Sequence, residues 1–169
     1  PLWKVHTDPT VPGLTAPAPD WFPSASDNNR SMAYNPITNH LLITDNANNT
    51  IHIVDADTGT TLGTLDNSIL TGGVLPVASV VVDANGVIYA APYNANPFKV
   101  YRWENEWSTP TVAFSETLSY YGGRAMAITG TGKNTRLYVS ASGTTGRFFI
   151  LATQDGYGFS IEAWVSGGE

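Results

Sequence analysis

Two carboxylates, Glu104 and Glu106, sit in the densest aromatic segment of the chain, Tyr101-Arg102-Trp103-Glu104-Asn105-Glu106-Trp107. Hydrolysis of a glycosidic bond needs two carboxyl groups about 5–10 Å apart across a cleft. On one face of a strand these two would meet the distance, but nothing else in the sequence marks a cleft. They are therefore not read as a catalytic pair. Strand alternation puts Tyr101, Trp103 and Asn105 on one face, with Arg102 and Glu104 on the other. Aromatic rings beside carboxylates serve in two ways: they stack on sugar rings at a surface, or they fill the space between packed sheets. Packing is the favoured reading, because aromatics dominate burial between sheets. The surface alternative names Tyr93, Tyr101, Trp103 and Trp107 as a glycan-binding set.

The other constellations are thin. Asp45, Asn46, Asn48 and Asn49 offer oxygens to a calcium ion, as do Asp55 and Asp57. Calcium takes about six to eight oxygens, and the loop with Gly at its sixth and Glu at its twelfth position is absent. These clusters read instead as turns whose side chains bond their own backbone. His6, His40 and His52 are scattered without zinc-ligand spacing. His52, between Ile51 and Ile53, points to the opposite sheet face from them. Gly-x-Ser-x-Gly and the phosphate-binding loop are both missing, and Gly130-Thr131-Gly132 reads as a turn. Arg30 and Arg124 would meet an anion if they lined a channel. Their favoured role is structural, in a pair with a carboxylate such as Asp83. No catalytic residue, metal or cofactor follows from these patterns, and the chain is read as non-enzymatic.

Composition narrows the class. The chain has 169 residues, 42% apolar and 11% aromatic, enough for a core. Charged residues make up 13%, against about 25% in an average domain. The net charge is −6 and the pI about 4.8. Three Lys and five Arg do not cluster, so no basic footprint for nucleic acid or an anionic membrane exists. No apolar run reaches the roughly 18 residues that span a bilayer. There is no Cys, which excludes disulfides and thiolate chemistry. Sparse charge with abundant Asn, Thr, Ser and Gly suits an extracellular or cell-surface protein. The chain opens on Pro1, which suggests a removed leader or a piece of a longer protein.

The elements that hold these residues repeat. Arg30-Ser31-Met32-Ala33-Tyr34 recurs as Arg124-Ala125-Met126-Ala127-Ile128, at twice an interval of 47. A copy expected near residue 77 is Val77-Ala78-Ser79-Val80-Val81-Val82. Each copy leads through a turn to a second strand: Leu41–Thr44, Val87–Ala91, Arg136–Ser140. A third follows at Thr50–Val54, Phe98–Trp103 and Arg147–Ala152, and a fourth at Thr61–Leu65, Thr111–Ser115 and Phe159–Trp164. Asp57-Thr58-Gly59, Asn85-Gly86 and Asp155-Gly156 supply hairpin turn chemistry. Four short antiparallel strands repeated at this period predict an all-β, β-propeller-like fold of about three blades. The blades span residues 30–75, 76–122 and 123–169. Residues 1–29 form a preceding unit. Leu2–Val5 is expected as a lone strand, and the five prolines between Pro9 and Pro23 make Thr7–Ser26 an extended or irregular connector.

Residues 41–65 carry a resemblance to a known repeat. Leu42-Ile43-Thr44-Asp45, then Asn49-Thr50-Ile51, Ile53-Val54-Asp55 and Thr58-Gly59 resemble the YVTN type of β-propeller repeat. Tyr138-Val139-Ser140 and Asn94-Ala95-Asn96 echo it more loosely. The resemblance implies a propeller and company with secreted and surface-layer proteins. Enzymes among such proteins gather metal or cofactor ligands around a central channel, whereas the leading residues of the three blades here are Arg30, Val77 and Arg124.

Three blades are fewer than the four to eight of closed propellers. The arc is expected to be completed by a longer chain, by the Pro-rich segment, or by neighbouring copies. The leading functional expectation is a non-catalytic extracellular structural protein that assembles with itself. Leu2, Trp3, Lys4 and Val5 would be exchanged between copies into a closed oligomer, a filament or a surface layer. The alternatives are the glycan-binding module named above, or part of a larger propeller hydrolase or lactonase. Asn29-Arg30-Ser31 and Asn48-Asn49-Thr50 are sequons, so Asn29 and Asn48 are candidate glycan carriers.

Overall fold

Alternating apolar residues and Asx- and Gly-rich turns fold this chain into three antiparallel sheets of four strands each. The computed structural model describes residues 5–6, 16–17, 19–22, 29–142 and 147–166. Two short strands come first, β1 (Val5–His6) and β2 (Ala16–Pro17), paired in parallel. Blade 1 follows: β3 (Met32–Asn35), β4 (His40–Asp45), β5 (Thr50–Asp55) and β6 (Thr61–Thr64). Blade 2 holds β7 (Leu75–Val82), β8 (Ile88–Tyr93), β9 (Phe98–Trp103) and β10 (Thr111–Glu116). Blade 3 holds β11 (Tyr121–Thr129), β12 (Arg136–Ser142), β13 (Arg147–Thr153) and β14 (Phe159–Ser166). A single 3-10 turn, Gly132–Asn134, is the only helical element among the described residues. The expected strands are present to within one or two residues at most ends.

The turn glycines explain why the hairpins close. Gly59, Gly86 and Gly156 have φ values of 74°, 84° and 86°, where a Cβ is disfavoured. Gly123 is more constrained still. Its φ is 93°, and a Cβ there would stand 1.9 Å from the carbonyl oxygen of Pro92.

The blades stack through two apolar seams. Leu42, Ile51, Ile53 and Leu65 of blade 1 meet Val77, Val80, Ile88, Ala90, Tyr101 and Trp103 of blade 2. The other face of blade 2, with Tyr89, Ala91, Phe98, Val100 and Phe114, meets Leu137, Val139, Phe149 and Leu151 of blade 3. Each fully buried side chain of this size contributes about 1.5–3 kcal/mol. Every blade thus has a backward face, toward the preceding element, and an opposite, forward face, which in blades 1 and 2 meets the next blade. The backward face of blade 1 carries His52, on which the Trp21 ring stacks at 3.9 Å. The Trp21 indole also donates to Thr61 Oγ1 at 3.0 Å. Part of the Pro-rich segment therefore packs back onto blade 1.

One registration differs from the sequence interval. A period of 47 makes Ser79 the counterpart of Met32 and Met126. In the structure Met32 pairs with Ile43, Val80 with Ala90, and Met126 with Val139, all on backward faces. The second strand keeps the interval, from Ile43 to Ala90. The turn before it in blade 2 is one residue shorter, so β7 slips by one. Such a slip moves every side chain to the other face, which is why Val80 rather than Ser79 meets blade 1.

Candidate functional site

Alternation in β12 and β13 builds the most unusual surface of the molecule. Leu137, Val139 and Ala141 point backward into the seam with blade 2. Tyr138 pairs with Ile150 and Ile150 with Ala163, and Phe148 with Val165, on the forward face. Tyr138, Ile150 and Ala163 are only half-buried, and Phe148 and Val165 are each 38% exposed. The forward faces of blades 1 and 2 are covered instead: Leu42, Ile53, Ala91 and Val100 have no exposed surface. Among the described residues no further sheet lies against blade 3. At its edge Arg136 and Glu162 form a bidentate pair at 2.8 and 2.9 Å. This pair raises the arginine pKa and lowers that of the glutamate, through the hydrogen bond first. The arrangement suits shape-matched packing of another blade.

The aromatic segment is a core segment. Tyr101 and Trp103 are fully buried, with the Tyr101 hydroxyl donating to the Thr71 carbonyl and the Trp103 indole to that of Asp66. They are unavailable to a glycan, which corrects the surface alternative for these two residues. Trp107 lies on the turn after β9 and is 70% exposed. Tyr93, at the end of β8, lies under the Arg124 guanidinium at 4.9 Å. Tyr93 and Trp107 sit at opposite ends of blade 2, so the four residues form no common platform. Of the assembly residues, Val5 pairs with Ala16 within the chain. Leu2, Trp3 and Lys4 lie outside the described residues.

Glu104 and Glu106 separate because the strand ends at Trp103. Glu104 turns to solvent and pairs with Arg102 at 2.7 Å. Glu106 turns into the seam with blade 1, where it is buried. It accepts from Asn35 Nδ2 at 2.8 Å and Thr38 Oγ1 at 2.6 Å, and lies 2.7 Å from His40 Nδ1. Alternation past the end of the strand misplaced it, and only the fold brings it to a turn some 70 residues away in sequence. Arg102 lies over the Tyr157 ring at 4.7 Å and so ties blade 2 to blade 3. Burial lowers its pKa, but the hydrogen bonds it donates to Glu104 and Tyr89 outweigh that and raise it. Asp83 Oδ1 accepts from the backbone amides of Asn85 and Val87, and Asp83 does not pair with Arg30 or Arg124 as expected.

The Asx clusters are turns, as read from the sequence. Asp45 Oδ1 accepts from the backbone of Ala47 and Asn48, and its Oδ2 meets Asn48 Nδ2 and His52 Nε2. Asp55 binds the amides of Asp57 and Thr58. No group of three or more potential metal-ligating side chains occurs among the described residues. In the sequons, Asn29 Nδ2 donates to the Thr44 carbonyl at 2.8 Å and Asn48 Nδ2 to Asp45 at 2.8 Å.

These turns predict acid sensitivity. Burial raises the Asp45 pKa, but the hydrogen bonds from Asn48, His52 and the turn backbone prevail and lower it from 3.8. Asp55, Asp66 and Asp155 are lowered too, chiefly by hydrogen bonds from their own turns. A depressed native pKa stabilises the fold above the unfolded value and is lost as pH falls through the native one. The melting temperature should therefore fall as pH drops below about 4, and Asp45→Asn should flatten that fall. A melting temperature constant down to about pH 2.5 would contradict the sign of these shifts.

A second surface was not visible in the sequence. Trp164, Tyr120 and Arg147 converge on a groove at the outer seam of blades 2 and 3. They come from three elements, and no local spacing links them.

No protein-family model matches the chain, the YVTN repeat included, and no curated protein matches it. Several solved structures share its fold. A DUF4623 family protein from Bacteroides eggerthii superposes with a TM-score of 0.65 at 17% identity, over 84% of this chain and 36% of its own length. A protein from Lactobacillus plantarum gives 0.53 at 20% identity, over 86% and 43%. The chain thus spans less than half the length of either. No helix among the described residues is long and apolar enough to cross a membrane. At these identities the likeness is one of fold alone, and that fold is an all-β, propeller-like stack of about three blades.

Proposed function

We propose that this chain is a non-catalytic extracellular or cell-surface structural protein that assembles by stacking propeller blades. The forward face of blade 3 receives a blade from a second copy. One observation carries this reading: the forward-face residues of blades 1 and 2 are buried, while their counterparts Tyr138, Ile150 and Ala163 stay partly open. An open apolar sheet face is a surface that soluble proteins cover. Sparse charge with abundant Asn, Thr, Ser and Gly supports a location outside the cell. The pairing of Val5 with Ala16 favours face stacking over strand exchange by Leu2–Val5.

Light scattering on the purified protein tests the proposal. The expected mass is a multiple of 18.1 kDa. Ile150→Lys, which sets an unpaired charge in the middle of the face, should give the single-copy mass with an unchanged circular dichroism spectrum. A wild-type protein that stays at the single-copy mass at high micromolar concentration refutes self-assembly.

A further inference from the structure

We propose that the groove between blades 2 and 3 binds a neutral saccharide, with Trp164 as the stacking platform. The groove has a volume of about 480 Å³, within the roughly 300–1,000 Å³ of small-ligand sites. Trp164 is 43% exposed there, and Tyr120 37%. The two rings stand 6.0 Å apart at 63°, so they form a corner rather than a closed stack. Phe149 backs Trp164 at 4.9 Å and holds its ring in place. Arg147 lies over the Tyr120 ring at 4.2 Å, covering that ring and fixing the second wall.

The polar lining decides the ligand class. A pyranose ring has an apolar C–H face and an equatorial belt of hydroxyls, each both donor and acceptor. The corner offers an aromatic face for the first. Glu116, an acceptor, and the hydroxyls of Ser119 and Ser166 offer hydrogen bonds for the second. Glu116 and Arg147 carry opposite charges, so the groove does not select a charged ligand. Glycoside hydrolysis needs a pair of carboxyls, and Glu116 is the one carboxylate in the lining. The reading is therefore binding, not turnover. It does not require blade stacking, and because Val165 belongs both to the groove and to the forward face, it is tested on the wild type and on Ile150→Lys alike.

The test is tryptophan fluorescence of the whole chain titrated with maltoheptaose, cellohexaose, N-acetylchitohexaose and a Pro-rich decapeptide. At least one saccharide should give a saturable change with a dissociation constant on the order of a millimolar or tighter. Trp164→Ala should abolish it, while Trp107→Ala, on a remote turn, should leave it in place. Glu116→Ala removes the acceptor at an exposed position. It should weaken binding about fivefold, the worth of one hydrogen bond, with circular dichroism unchanged. No saturable change with any of the three saccharides overturns the proposal. So does a response that survives Trp164→Ala, or a response to the decapeptide alone.

Discussion

Trp103→Ala is expected to lower the stability of the protein by about 3–5 kcal/mol. Trp103 has no exposed surface and fills the seam between blades 1 and 2 with Leu42, Ile51, Ile53 and Leu65. Truncation removes that packing and leaves a cavity that the flanking sheets close only in part, because both are held by their own ladders. It also strands the carbonyl of Asp66, which accepts from the indole at 2.9 Å. For a chain of this size each kcal/mol moves the melting temperature by about 2–4 °C. The expected fall is therefore about 6–20 °C, read by urea denaturation and thermal melting. A surface sugar platform predicts the opposite pattern: a change within about 0.5 kcal/mol, with binding lost. A near-neutral Trp103→Ala would overturn the stacking of blades 1 and 2 described above. Trp107→Ala, on the exposed turn four residues on, is the matched control and should leave stability nearly unchanged.

Legibility followed the range of the signal. The strands were legible because their information is local: Leu41–Thr44 and Thr50–Val54 alternate on either side of a turn that Asp45 caps. The interval between Met32 and Met126 was legible because two copies retain Arg, Met and Ala. The register of blade 2 was not, since Ser79 and Val80 both suit a strand and only the length of the next turn decides which faces blade 1. Tyr101 and Trp103 were correctly favoured as core by their size and alternation. Their partners, Asp66 and Thr71, come from the preceding connection and could not be named. Trp164, Tyr120 and Glu116 failed to stand out because each looks like an ordinary strand-end residue alone. Their meeting depends on how blade 3 seats on blade 2, a relation with no trace in local spacing.

Glu106→Ala should cost about 2–4 kcal/mol, a larger loss than an exposed turn glutamate can give. The carboxylate is buried, and it satisfies the Asn35 amide, the Thr38 hydroxyl and the His40 ring at once. Removing it leaves three polar groups aimed at a void. Thr38 and His40 are half-buried, so water recovers part of the loss, and this holds the expectation below the roughly 3–5 kcal/mol of a fully buried broken pair. The cluster also has a geometric consequence. The seam between blades 1 and 2 is lined mainly by aliphatic and aromatic residues, which tolerate small sliding of one sheet over the other, and Ser31 and Asn46 add bonds to the backbone of Val80 and Val77 across it. A carboxylate seated in the first turn of the preceding blade permits one placement. A double-mutant cycle separates this clamp from simple burial. Glu106→Ala and Asn35→Ala should couple by about 0.5–3 kcal/mol, and additive effects would mean that the two do not act as a unit. If the clamp sets the placement of blade 1 on blade 2, hydrogen exchange in Glu106→Ala should rise first in the β3–β4 turn. Blade 3, held through Arg102, Tyr157 and its own apolar seam, should keep its protection.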